Sequence, residues 1–150
     1  MDKSFVIGLD FGTDSARAVL VNACNGEQIA EDVQYYPRWK QGLYCDPVKK
    51  QFRQHPLDYI ECLGKILHGV LDPHPECRPH IKAIALDTTA STPCLADENL
   101  TPLALKEKYQ DNADAMFVLW KDHTAEKEAE EIEKACHQSK NDYTKVAGYR

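Results

Sequence analysis

Residues 7–21, IGLDFGTDSARAVLV, set two apolar, β-branched runs on either side of a turn that contains two aspartates, a threonine and a serine. Residues 4–10 and 16–22 each read as a buried strand, and the turn between them predicts a hairpin. Residues 28–36, QIAEDVQYY, alternate as a third strand with Ile29, Val33 and Tyr35 on one face. The Asn25-Gly26 pair that leads into it is a strong hairpin signal. The expectation is a three-stranded antiparallel meander.

The turn also has a chemistry. Gly8 and Gly12 add no Cβ and tolerate positive φ, so the backbone there can approach a ligand closely. Amide hydrogens of such a turn converge on an anion, and the Thr13 and Ser15 hydroxyls add donors, a set that suits phosphate. Carboxylates beside a phosphate repel it unless a cation intervenes, so Asp10 reads as a ligand for Mg²⁺, held through water. Arg17 would offset phosphate charge. The same residue types are also ordinary choices for a tight turn, and the more specific GxxxxGK[ST] pattern is absent.

Outward from the meander, residues 36–54 are rich in Pro, Gly and aromatics without periodicity and read as a structured connection. A helix follows, with Pro56 at its first position and Leu57, Ile60, Leu63, Leu67 and Leu71 at helical spacing, weakened by Gly64 and Gly69. HPECRPH, residues 74–80, offers His74, Cys77 and His80, but its prolines make a kinked surface turn the simpler reading than a metal site. IKAIALD, residues 81–87, is a near-continuous apolar strand, and STPCLAD, residues 91–97, reads as another. NADAMFVLW predicts a short helix capped by Asp111 or Asn112, and TAEKEAEEIEKACHQ a surface helix with Ala125, Ala129, Ile132 and Cys136 inward. This order implies an α/β domain with a mixed sheet covered by helices.

The 150 residues, 43% hydrophobic and 28% charged, suffice for one core. A net charge of −6 and scattered Lys and Arg lack the footprint of a nucleic-acid or anionic-membrane binder. No signal peptide or membrane-length run is present, so the expectation is a soluble, cytoplasmic protein. The six cysteines lack CxxC pairs and read as reduced. KVAGYR, residues 145–150, ends without a cap or turn and reads as the end of a fragment.

Asp10-x-Gly12-Thr13-x-Ser15-x-Arg17-Ala18 resembles the first phosphate motif of the actin-like ATPase (ribonuclease H-like) fold, and in particular of the FGGY carbohydrate kinases. Heat-shock chaperone ATPases share a similar turn. Residues 84–97, IALDTTASTPCLAD, resemble the strand and loop that reach the sugar pocket in the kinases, and residues 116–125, MFVLWKDHTA, resemble their LW-x-D segment. Both favour a sugar kinase over a chaperone or a non-enzymatic nucleotide-binding module. Residues 35–47 and 51–61 are similar to the members that act on L-ribulose rather than on glycerol, xylulose or gluconate. One departure is Asn22 with NACNG, where an acidic residue is common in the family.

The resemblance implies that residues 1–150 are the amino-terminal part of the first kinase domain. It implies ATP-dependent phosphorylation of L-ribulose to L-ribulose 5-phosphate in arabinose breakdown, with ATP and Mg²⁺ as cofactors; another pentulose kinase, such as one for xylulose, is the alternative. Asp10 would bind Mg²⁺, and Gly12, Thr13, Asp14, Ser15 and Arg17 would line the phosphate path. Thr89, Ala90 and Ser91 match the loop that faces the sugar, where a small Ala90 makes room for a five-carbon ketose. Ala90 as a mere packing residue is the alternative. Trp120, Asp122 and His123 would contact substrate; against this, Trp120 suits a core, Asp122 a helix cap and His123 an exposed first turn. The catalytic base lies downstream in the family, so this chain alone would be inactive. A homodimer of the full-length protein is left open.

Overall fold

The computed structural model describes residues 3–144; the KVAGYR stretch lies outside them. The chain runs through β1 (Phe5–Phe11), β2 (Ser15–Asn22), β3 (Gln28–Tyr35), α1 (Pro37–Lys40), β4 (Cys45–Asp46), β5 (Gln51–Gln54), α2 (Pro56–Leu71), β6 (Ile81–Thr88), β7 (Phe117–Val118) and α3 (Glu126–Gln138). The expected meander forms, and β6 joins it parallel to β1, giving a mixed sheet in the order β3-β2-β1-β6. Gly26 sits at φ 76 and donates to the Asn22 carbonyl at 2.8 Å, as the Asn-Gly turn requires.

Alternation decides which face is core. Phe5, Ile7, Leu9 and Phe11 of β1, with Ala16, Ala18 and Leu20 of β2, are buried against Cys62, Ile66 and Val70 of α2. Each such side chain removed from water contributes roughly 1.5–3 kcal/mol if large. The opposite face carries Gly8, Asp10 and Arg17 and is open, because α2 covers only one side of the sheet.

Several expectations need correction. In β3, Val33 and Tyr35 are exposed, since the register shifts between Leu20 and Val21 and turns Ala30, Asp32 and Gln34 toward the helix side. The buried stripe of α2 is Cys62, Ile66 and Val70, while Ile60 is exposed. STPCLAD forms no strand; its one pairing is an isolated bridge from Ala96 to Pro102. NADAMFVLW makes a single 3₁₀ turn (Ala113–Ala115), capped by Asn112 through the Asp114 amide, and then β7.

The periphery is thinly covered. Ile84 and Leu86 of β6 are exposed, because β1 is its only strand neighbour among the described residues. Helix α3 forms as expected, but none of its residues is buried and Ile132 is exposed, so the anticipated inner face meets no core. HPECRPH winds into a 3₁₀ helix (Pro75–His80) whose Cys77 joins the core and whose His74 pairs with Glu76 at 3.7 Å. Among the described residues no group of three or more His, Cys, Asp or Glu is placed to hold a metal ion. No helix of the described residues is long and apolar enough to cross a membrane.

Candidate functional site

β1 and β6 run parallel, and in such sheets ligands collect at the carboxyl ends of the strands. Asp10 stands near that end, and its direct partner on β6 is Asp87. The register aligns IGLD, residues 7–10, with IALD, residues 84–87, position by position. That echo was visible in the sequence and identifies Asp87, which motif reading of the turn passed over. Arg17 is the partner of Asp10 on the other side, on β2, and its Nη1 lies 3.2 Å from the Asp10 carboxylate. Asp10, Arg17 and Asp87 line one open cavity on the outer face. Gly8 leaves its floor open: an added Cβ would stand 3.1 Å from Val19 Cγ2.

The turn beside this cavity is held tightly. The Gly12 amide donates to the Ser15 carbonyl at 3.0 Å and is taken, whereas the Thr13 and Asp14 amides meet no backbone acceptor among the described residues. Neither Gly8 nor Gly12 adopts positive φ; Gly12 serves by its lack of a Cβ, which would stand 3.4 Å from the Ser15 carbonyl oxygen. Ser15 is buried. The Asp14 carboxylate accepts from the Trp39 indole at 2.7 Å, and its carbonyl from the Tyr36 amide at 3.1 Å. The Thr13 carbonyl accepts from Gln54 Nε2 at 2.5 Å.

The loop after β6 begins against this turn, because the Thr89 amide donates to the Phe11 carbonyl at 3.0 Å. Ala90 and Ser91 are exposed among the described residues. Ser91 takes φ 53, a left-handed conformation that costs a non-glycine residue energy and is found at ligand-facing sites.

The segment at 120–123 reaches the same end of the molecule through β5, which pairs with β7. Trp120 is 60% exposed rather than core. His123 is exposed and faces Glu126 at 3.5 Å. The Asp122 side chain is 2% exposed and accepts from the Phe52 amide at 2.8 Å, Arg53 Nε at 2.7 Å and the Thr124 amide and hydroxyl. Burial pushes its carboxyl up, but Arg53, Thr124 and the Phe52 amide outweigh this and hold it down at about 2. Asp122 does not cap the following helix, whose N-cap is Ala125.

Sequence reasoning passed over Asp87, Trp39 and Gln54. The 12–15 turn, the 89–91 loop and, through β5 and β7, the 120–123 segment are thus brought to one end of the sheet.

No family model matches the chain. It is 47% identical to a ribulokinase of Vibrio parahaemolyticus over 148 residues, 97% of this chain and 26% of that protein. It is 34% identical to a ribulokinase of Halalkalibacterium halodurans over 137 residues, 88% of this chain and 24% of that protein. The chain therefore spans about a quarter of the length of the curated relatives it matches. Among solved structures, a gluconate kinase from Lactobacillus acidophilus superposes with a TM-score of 0.65 at 19% identity, over 91% of this chain and 24% of that one. A ligand-bound xylulose kinase from the same organism gives 0.64 at 19%, over 90% and 24%. The chain is thus similar over nearly its whole length to curated ribulokinases, and it shares its fold with solved gluconate and xylulose kinases.

Proposed function

We propose that the full-length protein carrying this segment transfers the terminal phosphoryl group of ATP to L-ribulose, giving L-ribulose 5-phosphate in cytoplasmic arabinose breakdown. The observation that carries this reading is the union of Asp10, Asp87 and Arg17 on one open sheet face beside the 12–15 turn, with the Thr89 loop adjoining it. Residues 1–150 would be the amino-terminal part of the first kinase domain.

The donor set fits a hydrated divalent cation: carboxylate oxygens at a solvent-open site, with the Asp10 side chain 41% exposed and able to reach the ion through water. Asp10 would hold Mg²⁺, which neutralises charge on the transferring phosphoryl group when bound. The Thr13 and Asp14 amides would receive phosphate oxygens, Arg17 would swing from Asp10 to offset their charge, and Gly12 and Ser15 would shape the path. Thr89, Ala90 and Ser91 would face the sugar, with Trp120 and His123 exposed nearby. Asp122 would act on that segment through Arg53, since its own acceptors are filled. The base that takes the sugar proton lies outside these residues in this reading, and half a cleft positions neither substrate.

ATP consumption by the full-length protein with L-ribulose, D-xylulose and glycerol in parallel, beside the 150-residue chain, tests this. Turnover preferring L-ribulose in the full-length protein and none in the chain is expected. A preference for D-xylulose would move the assignment to another pentulose kinase, and hydrolysis indifferent to sugar would overturn it.

A further inference from the structure

Two connections from the 36–54 segment, one of them buried, reach into the 12–15 turn. Gln54 is 1% exposed, donates Nε2 to the Thr13 carbonyl at 2.5 Å, and accepts the Tyr59 hydroxyl on Oε1 at 2.5 Å. The Thr13 carbonyl can only accept, which fixes the NH₂ end of the amide toward the turn and leaves Oε1 for the Tyr59 hydroxyl. Tyr59 is itself stacked on Tyr36 and Phe11, with ring centroids 4.9 and 5.7 Å apart, so the donor does not wander. Trp39 gives its indole N–H to Asp14, and its own backbone amide is pinned to Asp58, which is fully buried at the start of α2.

A trans peptide points its C=O and N–H in opposite directions. Holding the Thr13 carbonyl toward Gln54 therefore aims the Asp14 amide hydrogen away from the core. The Trp39 bond draws the Asp14 carboxylate off that line, removing a negative charge from the approach of an anion. Gln54 also pairs with Phe117 across β5 and β7, and Lys121 Nζ lies 4.7 Å over the Trp39 ring. The strand that shapes the phosphate turn is thus the one that anchors the 120–123 segment.

We propose that Gln54 and Trp39 are positioning residues for nucleotide binding: they orient the Asp14 amide and withdraw the Asp14 carboxylate. This rests on the kinase reading above, in that the turn is taken as the phosphate site.

The test uses the full-length protein with Gln54→Glu, which keeps the acceptor for Tyr59 but loses the donor to Thr13, and Trp39→Phe, which keeps a ring and loses the N–H. MgATP affinity without sugar is measured by equilibrium dialysis, and KM and kcat for ATP and for sugar by coupled assay. One hydrogen bond is worth about 0.5–1.5 kcal/mol, so each variant should weaken MgATP binding roughly threefold to tenfold. KM for the sugar should stay within about twofold, a split that general loss of stability would not produce. Should Gln54→Glu fail to fold, the half-exposed Trp39→Phe carries the test alone. Unchanged MgATP affinity in folded variants overturns the proposal. Weakened MgATP binding in a protein that phosphorylates no sugar would sustain it while defeating the kinase assignment; a wild type that binds no MgATP defeats both.

Discussion

Helix α2 carries two glycines whose replacement by alanine should have opposite effects. In a helix interior Gly→Ala is intrinsically favourable by about 1 kcal/mol. At Gly64 nothing lies within 4 Å of an added Cβ, so that gain should appear undiminished. For a chain of this size it corresponds to a rise of about 2–4 °C in Tm. At Gly69 an added Cβ would fall 2.5 Å from Asp32 Cγ, 2.7 Å from its Cβ and 2.8 Å from its Oδ2. The Asp32 Cβ is fixed to the backbone of β3 and cannot rotate away, so the helix must shift. Overpacking of this kind costs about 1–3 kcal/mol, which offsets or exceeds the helical gain and leaves a net loss of up to about 2 kcal/mol. Urea unfolding of both variants, followed by far-ultraviolet circular dichroism with slopes compared, reads this directly. Adding Asp32→Ala to Gly69→Ala removes the Cγ and Oδ2 contacts and should restore about 1 kcal/mol beyond additivity. Equal stabilisation by Gly64→Ala and Gly69→Ala would refute the close approach of α2 to β3.

Three other outcomes follow from buried polar groups. The Tyr36 hydroxyl is fully buried without a hydrogen-bond partner among the described residues, so Tyr36→Phe should be neutral or raise stability by about 1 kcal/mol; a loss above that in urea unfolding would mean the hydroxyl has a partner. Arg53→Met strands the buried Asp122 carboxylate and should cost about 3–5 kcal/mol, more than Arg53→Met combined with Asp122→Leu; equal losses would show the pair to be unimportant. His55 caps α2 by accepting the Leu57 amide on Nδ1, while Nε2 meets the Gln110 carbonyl at 3.1 Å. Burial, aided by the Arg38 charge and opposed by the Gln110 carbonyl, lowers its pKa from 6.5. The unfolded chain then binds the extra proton first, so this stability is complete above about pH 6.5 and is lost as pH falls below it. Stability lost between pH 7.5 and 5.5 should shrink in His55→Asn, which retains a capping oxygen; an unchanged loss would exclude His55 as its source.

Much of this was legible in the chain because local signals and tertiary demands agree there. The meander followed from alternation and from Asn25-Gly26, and β6 from its apolar run. The errors arose where a distant partner overrode the local pattern. The bulge between β2 and β3 reversed the face that Val33 and Tyr35 occupy, and α2 buries Cys62, Ile66 and Val70 fully while Leu63, Leu67 and Leu71 pack only partly buried against the same core. β5 escaped notice because Arg53, Gln54 and His55 are polar, and nothing local reveals that they are buried. Their partners Asp122, Thr13 and Gln110 are 69, 41 and 55 residues away. Asp10, Gly12 and Arg17 could be read together as candidates because the turn is contiguous; placing Asp87 beside them required the parallel register, which only the IGLD and IALD echo hinted at.

The claim that matters most is that the Asp10 face is where phosphoryl transfer to a pentulose is organised. MgATP-dependent formation of L-ribulose 5-phosphate, followed by phosphorus NMR in the full-length protein and in Asp10→Asn, tests it most directly. The account predicts product from the wild type and a fall of about 10² or more in kcat for the variant, with its Tm within a few degrees of wild type. Undiminished turnover in a folded Asp10→Asn protein, or phosphate released without any sugar phosphate, would contradict it.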